Sequence, residues 1–264
     1  MTDVPAVAAV VLAAGLGRRL RPLTDLLPKA LCPVGNVALV DLALARVRAV
    51  TADVAVNVHA HRHLMEAHLG GAGVRLSCEE VLLGTAGALG RLRPWIGGRA
   101  TLVHNADAWH EADVRALVEG WDGERMRLLV VPPEPGVRPD FGAHRYAGVG
   151  LFPWSAVRAL EAEPSGLYEV LWRKAEAAGR LDLVPYAGRW HDTGTPRTYL
   201  AANLAAGGGR SVVAPDAVVE PGAEVIRSVV WPRATVGAGE RLVEQVRAPG
   251  GITVDARQAP GCGS

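Results

Sequence analysis

An uninterrupted apolar run that leads into a glycine-rich loop places the strongest constraint on the fold of this chain. The run Val7–Leu12 predicts a fully buried strand, because apolar residues occupy both of its faces. Two alanines follow, and then Gly15 and Gly17, which leave no side chain between the main-chain N–H groups and a ligand. Successive free amides form a concavity that binds anions. The loop is therefore predicted to hold a di- or triphosphate.

The cations beside this loop support a phosphate ligand. Among the 28 lysines and arginines of the chain only Lys29 and Lys174 are lysines. Lysine is a compact point charge on a flexible stem, whereas arginine is a rigid planar fork. The ammonium of Lys29, together with Arg19 and Arg21, is expected to contact phosphate at the mouth of the loop.

Two common glycine motifs do not match the loop. The dinucleotide fingerprint needs a third glycine where Leu20 stands. The Walker loop needs Gly-Lys-Ser/Thr, but Arg18-Arg19 follow Gly17. The distinctive feature is the combined spacing of Gly-x-Gly, Arg, Pro-Leu-Thr and Pro-Lys.

That combined spacing resembles the signature of the sugar-1-phosphate nucleotidylyltransferases, also called nucleotide-sugar pyrophosphorylases. It lies in Leu12-Ala-Ala-Gly-Leu-Gly-Arg-Arg-Leu-Arg-Pro-Leu-Thr24 and Pro28-Lys-Ala-Leu-Cys-Pro-Val34. The pattern is most similar to mannose-1-phosphate guanylyltransferase-like and N-acetylmuramate-1-phosphate uridylyltransferase-like members. The resemblance implies a Rossmann-like α/β fold that binds an NTP and a sugar-1-phosphate with Mg²⁺ between them. Members of the family join the two substrates and release pyrophosphate.

The resemblance also implies roles for individual residues. Catalytic roles fall to Arg19, Lys29 and Asp107, and the Mg²⁺ ligands are Asp107 and Asp192. Sugar-binding residues are Asn105, Gly148 and Glu169. The implied nucleotide-binding residues are Leu12, Ala13, Ala14, Gly15, Gly17, Arg18, Gly84, Thr85, Ala86 and Gly87.

The chemistry of nucleotidyl transfer explains why carboxylates and cations are needed. The attacking phosphate is already an anion, so positioning and electrostatics supply most of the rate and no strong base is required. A hard divalent cation held by one or two carboxylates and phosphate oxygens is the usual device.

Each of these assignments has a purely structural alternative. Asp107 could cap the helix near Asp113, and Asp192 could cap the helix that begins near Pro196. Glycines 84 and 87 also suit a tight strand–helix junction, and Glu169 suits a solvated surface.

The chain departs from the family pattern in two places. Ala106 stands where the family commonly has the glycine of Gly-Asp. The Glu-Lys-Pro found near the sugar phosphate in many members is reduced to Glu134-Pro135. Arg145, Arg189 and His144 are the candidates for the missing cation, and the acceptor could be unusual.

Short apolar runs alternate with amphipathic stretches along the first two hundred residues, which favours a mostly parallel sheet with helices on both faces. Ligands of such sheets bind at the carboxyl ends of strands. The predicted strands are Val7–Leu12, 54–58, 74–77, 100–104, 127–131, 146–152 and 181–185. The predicted helices are 38–50, 61–69, 87–92, 113–121, 168–178 and 196–206.

A different periodicity begins after Gly207-Gly208-Gly209, which we interpret as a joint. Val213, Val219, Val225, Val230, Val236 and Leu242 recur at steps of six or five residues. This period predicts a stub of about two coils of left-handed parallel β-helix; the alternative is a Pro/Gly-rich tail of low order. The predicted domains are a catalytic domain (1–206), the joint (207–210), the β-helix (211–257) and a disordered tail (258–264).

The composition limits the kinds of partner that are expected for this protein. A net charge of +1 gives no case for a nucleic-acid surface. Apolar runs are too short to span a bilayer, and the start of the chain lacks signal-peptide features. Three cysteines without paired spacing indicate a reducing cytoplasm. The β-helix stub is a candidate surface for homo-oligomerisation.

Two classes of function remain open at this level. The first is a Mg²⁺-dependent nucleotidylyltransferase, with the run Gly84-Thr-Ala-Gly-Ala-Leu89 favouring a guanylyltransferase. Uridylyl transfer to an amino-sugar phosphate is close behind, and thymidylyl or cytidylyl transfer to another phosphorylated acceptor is also open. The second class is a non-catalytic regulatory subunit that binds nucleotide sugar.

Overall fold

The computed structural model describes residues 6–134 and 136–257. The strands of these residues, in chain order, are β1 (Val7–Leu12), β2 (Pro33–Val34), β3 (Val37–Ala38), β4 (Val54–Val58), β5 (Arg75–Cys78), β6 (Ala100–Asn105), β7 (Ala108–His110), β8 (Met126–Val131), β9 (Arg145–Phe152), β10 (Leu181–Pro185), β11 (Trp190–Asp192), β12 (Val212–Val213), β13 (Val218–Val219), β14 (Glu224–Ile226), β15 (Val229–Val230), β16 (Thr235–Val236), β17 (Arg241–Val243), β18 (Gln245–Arg247) and β19 (Thr253–Asp255).

The α-helices of the described residues are α1 (Leu23–Leu26), α2 (Leu39–Arg48), α3 (Arg62–Leu69), α4 (Gly84–Ile96), α5 (Trp154–Val157), α6 (Arg173–Ala177) and α7 (Pro196–Ala206). Short 3₁₀ turns occur at Arg18–Leu20, Lys29–Leu31, Val114–Leu117 and Pro249–Gly251, and Tyr168–Trp172 is π-helical.

The described chain divides into two compact units. The sheet unit comprises the described residues of Met1–Gly15, Ala43–Ala106 and Glu111–Gly188. The second unit comprises Leu16–Leu42, Asp107–His110 and the described residues of Arg189–Ser264. These divisions differ from the predicted domain limits, because α7 belongs to the same unit as the strands that follow it. The functional division at residue 206 stays a prediction.

A seven-stranded sheet forms the centre of the sheet unit, in the order β10-β8-β9-β6-β1-β4-β5. β1 pairs in parallel with β4 and β6, β4 with β5, and β10 with β8. Only the pairings of β9, with β6 and β8, are antiparallel among these strands. The architecture is therefore mixed α/β with a sheet that is mainly parallel.

Apolar side chains on both faces hold this sheet in the core. Val10 and Val11 are neighbours in β1 and point to opposite faces, yet both are fully buried. On the face of Val10, Leu89 and Ile96 of α4 pack with Phe152 of β9 in one cluster. This double burial explains why β1 is continuously apolar.

Most predicted elements lie where the sequence pattern put them, but the predicted helix 113–121 is wrong. Only the turn Val114–Leu117 forms there, with Asp113 as its cap. The Arg127 guanidinium donates hydrogen bonds to the carbonyls of Leu117, Glu119 and Gly120. These carbonyls are therefore satisfied by a side chain from β8 rather than by a continuing helix.

Residues 211–257 of the second unit, here called the stacked segment, pair with themselves at a constant offset. Val213 pairs with Val230, Val219 with Val236, and Val225 with Leu242, all in parallel. These are the same residues that recur in the sequence pattern. β15 pairs in turn with β18, and β19 then adds an antiparallel strand.

Helix α7 packs in one apolar cluster with the stacked segment. Its side chain Tyr199 is fully buried and accepts a hydrogen bond from Trp231 Nε1 at 3.0 Å. The Tyr199 hydroxyl donates to the carbonyl of Pro33, and burial raises the pKa of this phenol well above its ordinary value. Gly207 and Gly209 end the helix by donating to the carbonyls of Asn203 and Leu204.

The predicted disordered tail, 258–264, lies outside the described residues. Within 6–134 and 136–257, no helix combines the length and apolar character needed to cross a bilayer.

Candidate functional site

The glycine-rich loop turns at Gly17. Gly17 has φ +61°, and an added Cβ would lie 2.8 Å from the Thr24 methyl carbon and 3.1 Å from Lys29 Cβ. Thr24 donates from its hydroxyl to the carbonyl of Gly17 at 2.9 Å, which fixes this turn. A Cβ at Gly15 would meet no described atom within 4 Å, so this stretch of backbone is open to a ligand.

Three charged side chains of the second unit converge on one point. The Lys29 ammonium is buried and lies 2.9 Å from Asp107 Oδ2 and 4.0 Å from Asp192 Oδ1. The carboxylate side chains remain partly open to solvent, with 49% of Asp107 and 30% of Asp192 exposed. We call these three residues the Lys29 cluster.

Strand pairing explains how the two aspartates meet despite their separation in sequence. β7 and β11 pair in an antiparallel ribbon that sets Asp192 opposite Ala108, the neighbour of Asp107. Thr193 adds two hydrogen bonds to the Asp107 carbonyl, from its main-chain N–H at 3.2 Å and its hydroxyl at 2.7 Å. Both carboxylates are therefore positioned by rigid backbone.

Arg19 reaches the same part of the second unit. A Cβ added to Gly194 would lie 2.7 Å from Arg19 Nη2 and 2.8 Å from Asp192 Oδ1. A side chain at position 194 would therefore displace this guanidinium and this carboxylate from their present places. Arg18 lies in the same short turn and is exposed.

The residues of the Lys29 cluster suit Mg²⁺ in type and number. Among the described residues, no group of three or more His, Cys, Asp or Glu side chains is arranged to hold a metal ion. Mg²⁺ needs fewer protein ligands, because it binds one or two carboxylates together with substrate phosphates and waters. Asp107 and Asp192 offer two hard oxygen donors, and their attraction to one ammonium keeps both carboxylates on the same side of the ribbon.

A buried polar network in the sheet unit was not found from the sequence. Asn57 Oδ1 accepts a hydrogen bond from the Ala13 N–H at 2.7 Å, and its amide donates to Glu79 at 2.8 Å. The second Glu79 oxygen accepts from the Leu83 N–H at 3.0 Å. The network thus joins the residue after Leu12 to the start of α4. Its one sequence signal is the lone polar residue inside the apolar strand β4.

The glycines at the start of α4 are closely packed. Added Cβ atoms at Gly84, Gly87 and Gly90 would lie 2.5, 2.2 and 2.1 Å from carbonyl oxygens of residues 165, 163 and 161. We call these three residues the glycine stripe. The Ala86 N–H donates to the Ser165 carbonyl, and the Thr85 hydroxyl accepts from the Leu167 N–H. These glycines therefore pack against the irregular segment 161–165, whereas the proposed alternative was a strand–helix junction; nucleotide binding here stays a prediction.

The residues predicted to bind sugar belong to three elements of the sheet unit. Asn105 ends β6 and is partly exposed. Gly148 has φ +91° in a stretch where the pairing of β8 and β9 shifts register. Such bulges are common beside active sites, and the positive φ of this residue favours glycine. Glu169 is exposed in the π-helical turn, as the surface alternative expects.

The candidates for the missing cation lie in different settings. Arg189 lies over the Trp109 ring at 5.9 Å and donates to the Ala205 carbonyl at 2.7 Å. Arg145 begins β9, and the main chain of His144 closes a turn with Phe141. Glu134 is described, whereas Pro135 lies outside the described residues.

Comparisons with known proteins show what this chain is similar to. A family model described as Nucleotidyl transferase matches residues 8–146. N-acetylmuramate alpha-1-phosphate uridylyltransferase of Caulobacter vibrioides is 33% identical over 238 residues, which cover 76% of this chain and 97% of that protein. Mannose-1-phosphate guanylyltransferase of Mycobacterium tuberculosis is 25% identical over an alignment of 280 positions, which covers 89% of this chain and 78% of that protein.

A solved structure extends the likeness of the fold. The structure titled mannose-1-phosphate geranyltransferase, from Thermus thermophilus, superposes with a TM-score of 0.71 at 19% identity and covers 95% of both chains. At this identity the superposition shows a shared fold.

Proposed function

Because this chain belongs to the nucleotidyl transferase family, we propose that it joins an NTP to a sugar-1-phosphate in a Mg²⁺-dependent reaction that releases pyrophosphate. The family membership makes it a nucleotidyltransferase, as the resemblance of residues 12–34 to the family signature implied. The metal, the nucleobase and the sugar are the parts that we propose.

The observation that carries the proposal is the convergence of Asp107 and Asp192 on the Lys29 ammonium. In the reaction, an oxygen of the sugar phosphate forms a bond to the α-phosphorus. The bond from that phosphorus to the β-phosphate bridging oxygen breaks, and its electron pair leaves with pyrophosphate. Both substrates are anions, so the site must supply positive charge and hold the reactants in line.

Different residues of the second unit would supply the positive charge and position the reactants. Asp107 and Asp192 would hold Mg²⁺, which supplies charge neutralisation on phosphate oxygens when it is bound. The Lys29 ammonium, which lies 2.9 Å from Asp107 Oδ2, would donate to a phosphate oxygen of the substrate. The exposed Arg19 guanidinium can bind two phosphate oxygens at once.

For the substrates we propose UTP and an N-acetylmuramate-type amino-sugar 1-phosphate. The support is the 33% identity to a protein of that name across 97% of its length. GTP with mannose-1-phosphate is the second candidate. It is favoured by the Gly84–Leu89 run and by the guanylyltransferase match that covers 89% of this chain.

A substrate panel tests both choices. The purified chain is incubated with each of UTP, GTP, dTTP and CTP, against N-acetylmuramate-1-phosphate, mannose-1-phosphate and glucose-1-phosphate, and pyrophosphate release is measured. We expect UTP with the amino-sugar phosphate to give the highest kcat/KM, and EDTA to abolish turnover until Mg²⁺ is restored. Turnover that survives EDTA would refute the metal assignment. No turnover with any pair, alongside retained nucleotide-sugar binding, would favour the regulatory-subunit alternative.

We also propose that the stacked segment is a short left-handed parallel β-helix that joins copies of this chain. The parallel pairs Val213–Val230 and Val219–Val236, and the exposed side chains of Val218 and Val219, support this. Sedimentation of the full chain and of a Val218→Glu variant tests the assembly. A monomer at all concentrations would contradict it.

A further inference from the structure

A cavity of about 650 Å³ lies within the second unit, along one face of α7. Arg197, Leu200 and Leu204 of α7 line it, at the spacing that places side chains on one helix face. The opposite wall includes Arg227, Glu244 and Arg257 from the stacked segment. Three guanidinium groups from separate elements therefore border one space that also has an apolar wall.

Two of the three guanidinium groups around this cavity have a carboxylate partner, and the third has none in the described part of the chain. Arg227 Nε lies 3.2 Å from Glu244, and Arg257 is bound to Asp255 at 2.6 Å. Both pairs are substantially exposed, and such pairs contribute little to stability, so a stronger anion can compete for their guanidinium groups. The guanidinium of Arg197 has no hydrogen-bond or ion-pair partner among residues 6–134 and 136–257. The cavity therefore carries positive charge that the described residues leave unneutralised.

This cavity is distinct from the Lys29 cluster. His191 lines the cavity, and the next residue, Asp192, belongs to the cluster. Successive side chains of a strand point to opposite faces, and both residues lie in β11. The two sets of residues are thus on opposite sides of the same ribbon.

We propose that this cavity is a second ligand site, which binds a small phosphate monoester with an apolar body. A phosphate group presents three terminal oxygens and can accept from several guanidinium forks at once. A single carboxylate matches one fork. Leu200 and Leu204 provide the surface for the apolar part of the ligand. The inference rests on the geometry of the second unit and does not depend on the proposed function.

Calorimetric titration of the full chain with phenyl phosphate tests the proposal. The Arg197→Ala/Arg257→Ala double variant is expected to bind at least tenfold more weakly, because each substitution removes a charge-assisted contact. Arg210→Ala removes an exposed arginine of the same unit that does not line the cavity, and should bind like the wild type. Lys29→Ala separates the two sites, because it alters the cluster and should leave this binding intact.

Two further measurements test the site without removing any of its arginines. Ala201→Phe places a ring in the cavity while retaining all three arginines, and is expected to abolish the binding. Benzoate has the same apolar body as phenyl phosphate and should bind at least tenfold more weakly. Melting temperatures confirm that each variant is folded. Binding that is unchanged in the double variant or in Ala201→Phe, or lost in Lys29→Ala, would overturn the proposal, as would equal affinity for benzoate.

Discussion

The Lys29 cluster and the glycine stripe of α4 differ in what their residues contribute to the structure. The cluster brings together charged side chains from three separate stretches of chain, with a buried ammonium between two carboxylates. The stripe consists of residues without side chains, which allow the backbone of residues 161–165 to approach the helix. Family resemblance assigned ligand-binding roles within both regions, but their physical demands differ. Substitution in the cluster should reduce activity, whereas substitution in the stripe should reduce stability.

The largest effect is expected from Asp107→Asn, which removes a formal charge from the proposed metal site and retains the size of the side chain. We expect kcat/KM to fall about 1000-fold, because this charge would hold the metal that neutralises the transferring phosphate. Steady-state pyrophosphate release measures the change. Asp113→Asn is the matched control, because Asp113 caps a surface turn and asparagine caps equally well. Equal activity of both variants would contradict the comparison.

Lys29→Arg is expected to reduce kcat about 100-fold, because a planar fork cannot replace a compact ammonium at a buried position between two carboxylates. The same assay measures it, with circular dichroism to verify the fold. The chain provides its own control in Lys174→Arg, because Lys174 is the other lysine and is exposed. If both lysine variants lose activity equally, Lys29 has no special role.

In the stripe, Gly87→Ala should lower the free energy of unfolding by about 2 to 3 kcal/mol, because the new methyl group would lie 2.2 Å from the Glu163 carbonyl oxygen. The better helix propensity of alanine offsets part of this loss. Urea unfolding measures the change. Gly15→Ala is the mirror variant: its methyl group meets no described atom, so stability should hold while activity falls. A stable Gly87→Ala protein would show that the segment 161–165 can move away.

Glu79→Gln tests whether the Asn57 network stabilises the sheet unit. This network links Ala13 to Leu83, and both lie in or beside segments that are predicted to bind nucleotide. The amide would present a donor where the carboxylate accepts from Asn57 or Leu83. We expect a loss of about 1 to 2 kcal/mol in the free energy of unfolding, since a buried donor becomes unsatisfied. Glu80→Gln, at the exposed neighbouring position, should change stability little. An unchanged Glu79→Gln protein would mean that the network is dispensable.

The smallest effect concerns Cys32, which lies close to Lys29 in sequence but is fully buried. Burial raises the pKa of its thiol to about 12, and the Lys29 ammonium opposes this only in part. The pKa of this thiol in the folded state exceeds its unfolded value of about 8.5. Above about pH 8.5 the thiol therefore ionises more readily in the unfolded chain, and the free energy of unfolding declines as pH rises towards 12. Melting temperatures between pH 8 and 10 should fall less for Cys32→Ala than for Cys78→Ala. Rapid labelling of Cys32 by a thiol reagent at pH 8 would refute this burial.

The two regions also differ in how far the sequence could predict them. The loop and Lys29 were predictable because glycine content, strand pattern and charge are local properties of a short segment. The strands β1, β4 and β10 were predictable for the same reason, from short runs rich in apolar residues, and the helix α7 was predictable from the pattern of residues 196–206. The helix predicted at 113–121 was wrong because Arg127, a side chain of the following strand β8, binds its carbonyls.

The sequence by itself determined the local chemistry of this protein: an apolar strand, an open glycine loop and one retained lysine, followed by a valine repeat whose members pair with one another. Only the tertiary structure decided which distant groups meet. Asp192 reaches Lys29 through the register of β7 and β11, and Asn57 reaches Ala13 and Glu79 through a buried network. The physical reason is that a residue's type fixes what it can bind, whereas strand register and packing fix where its side chain lies.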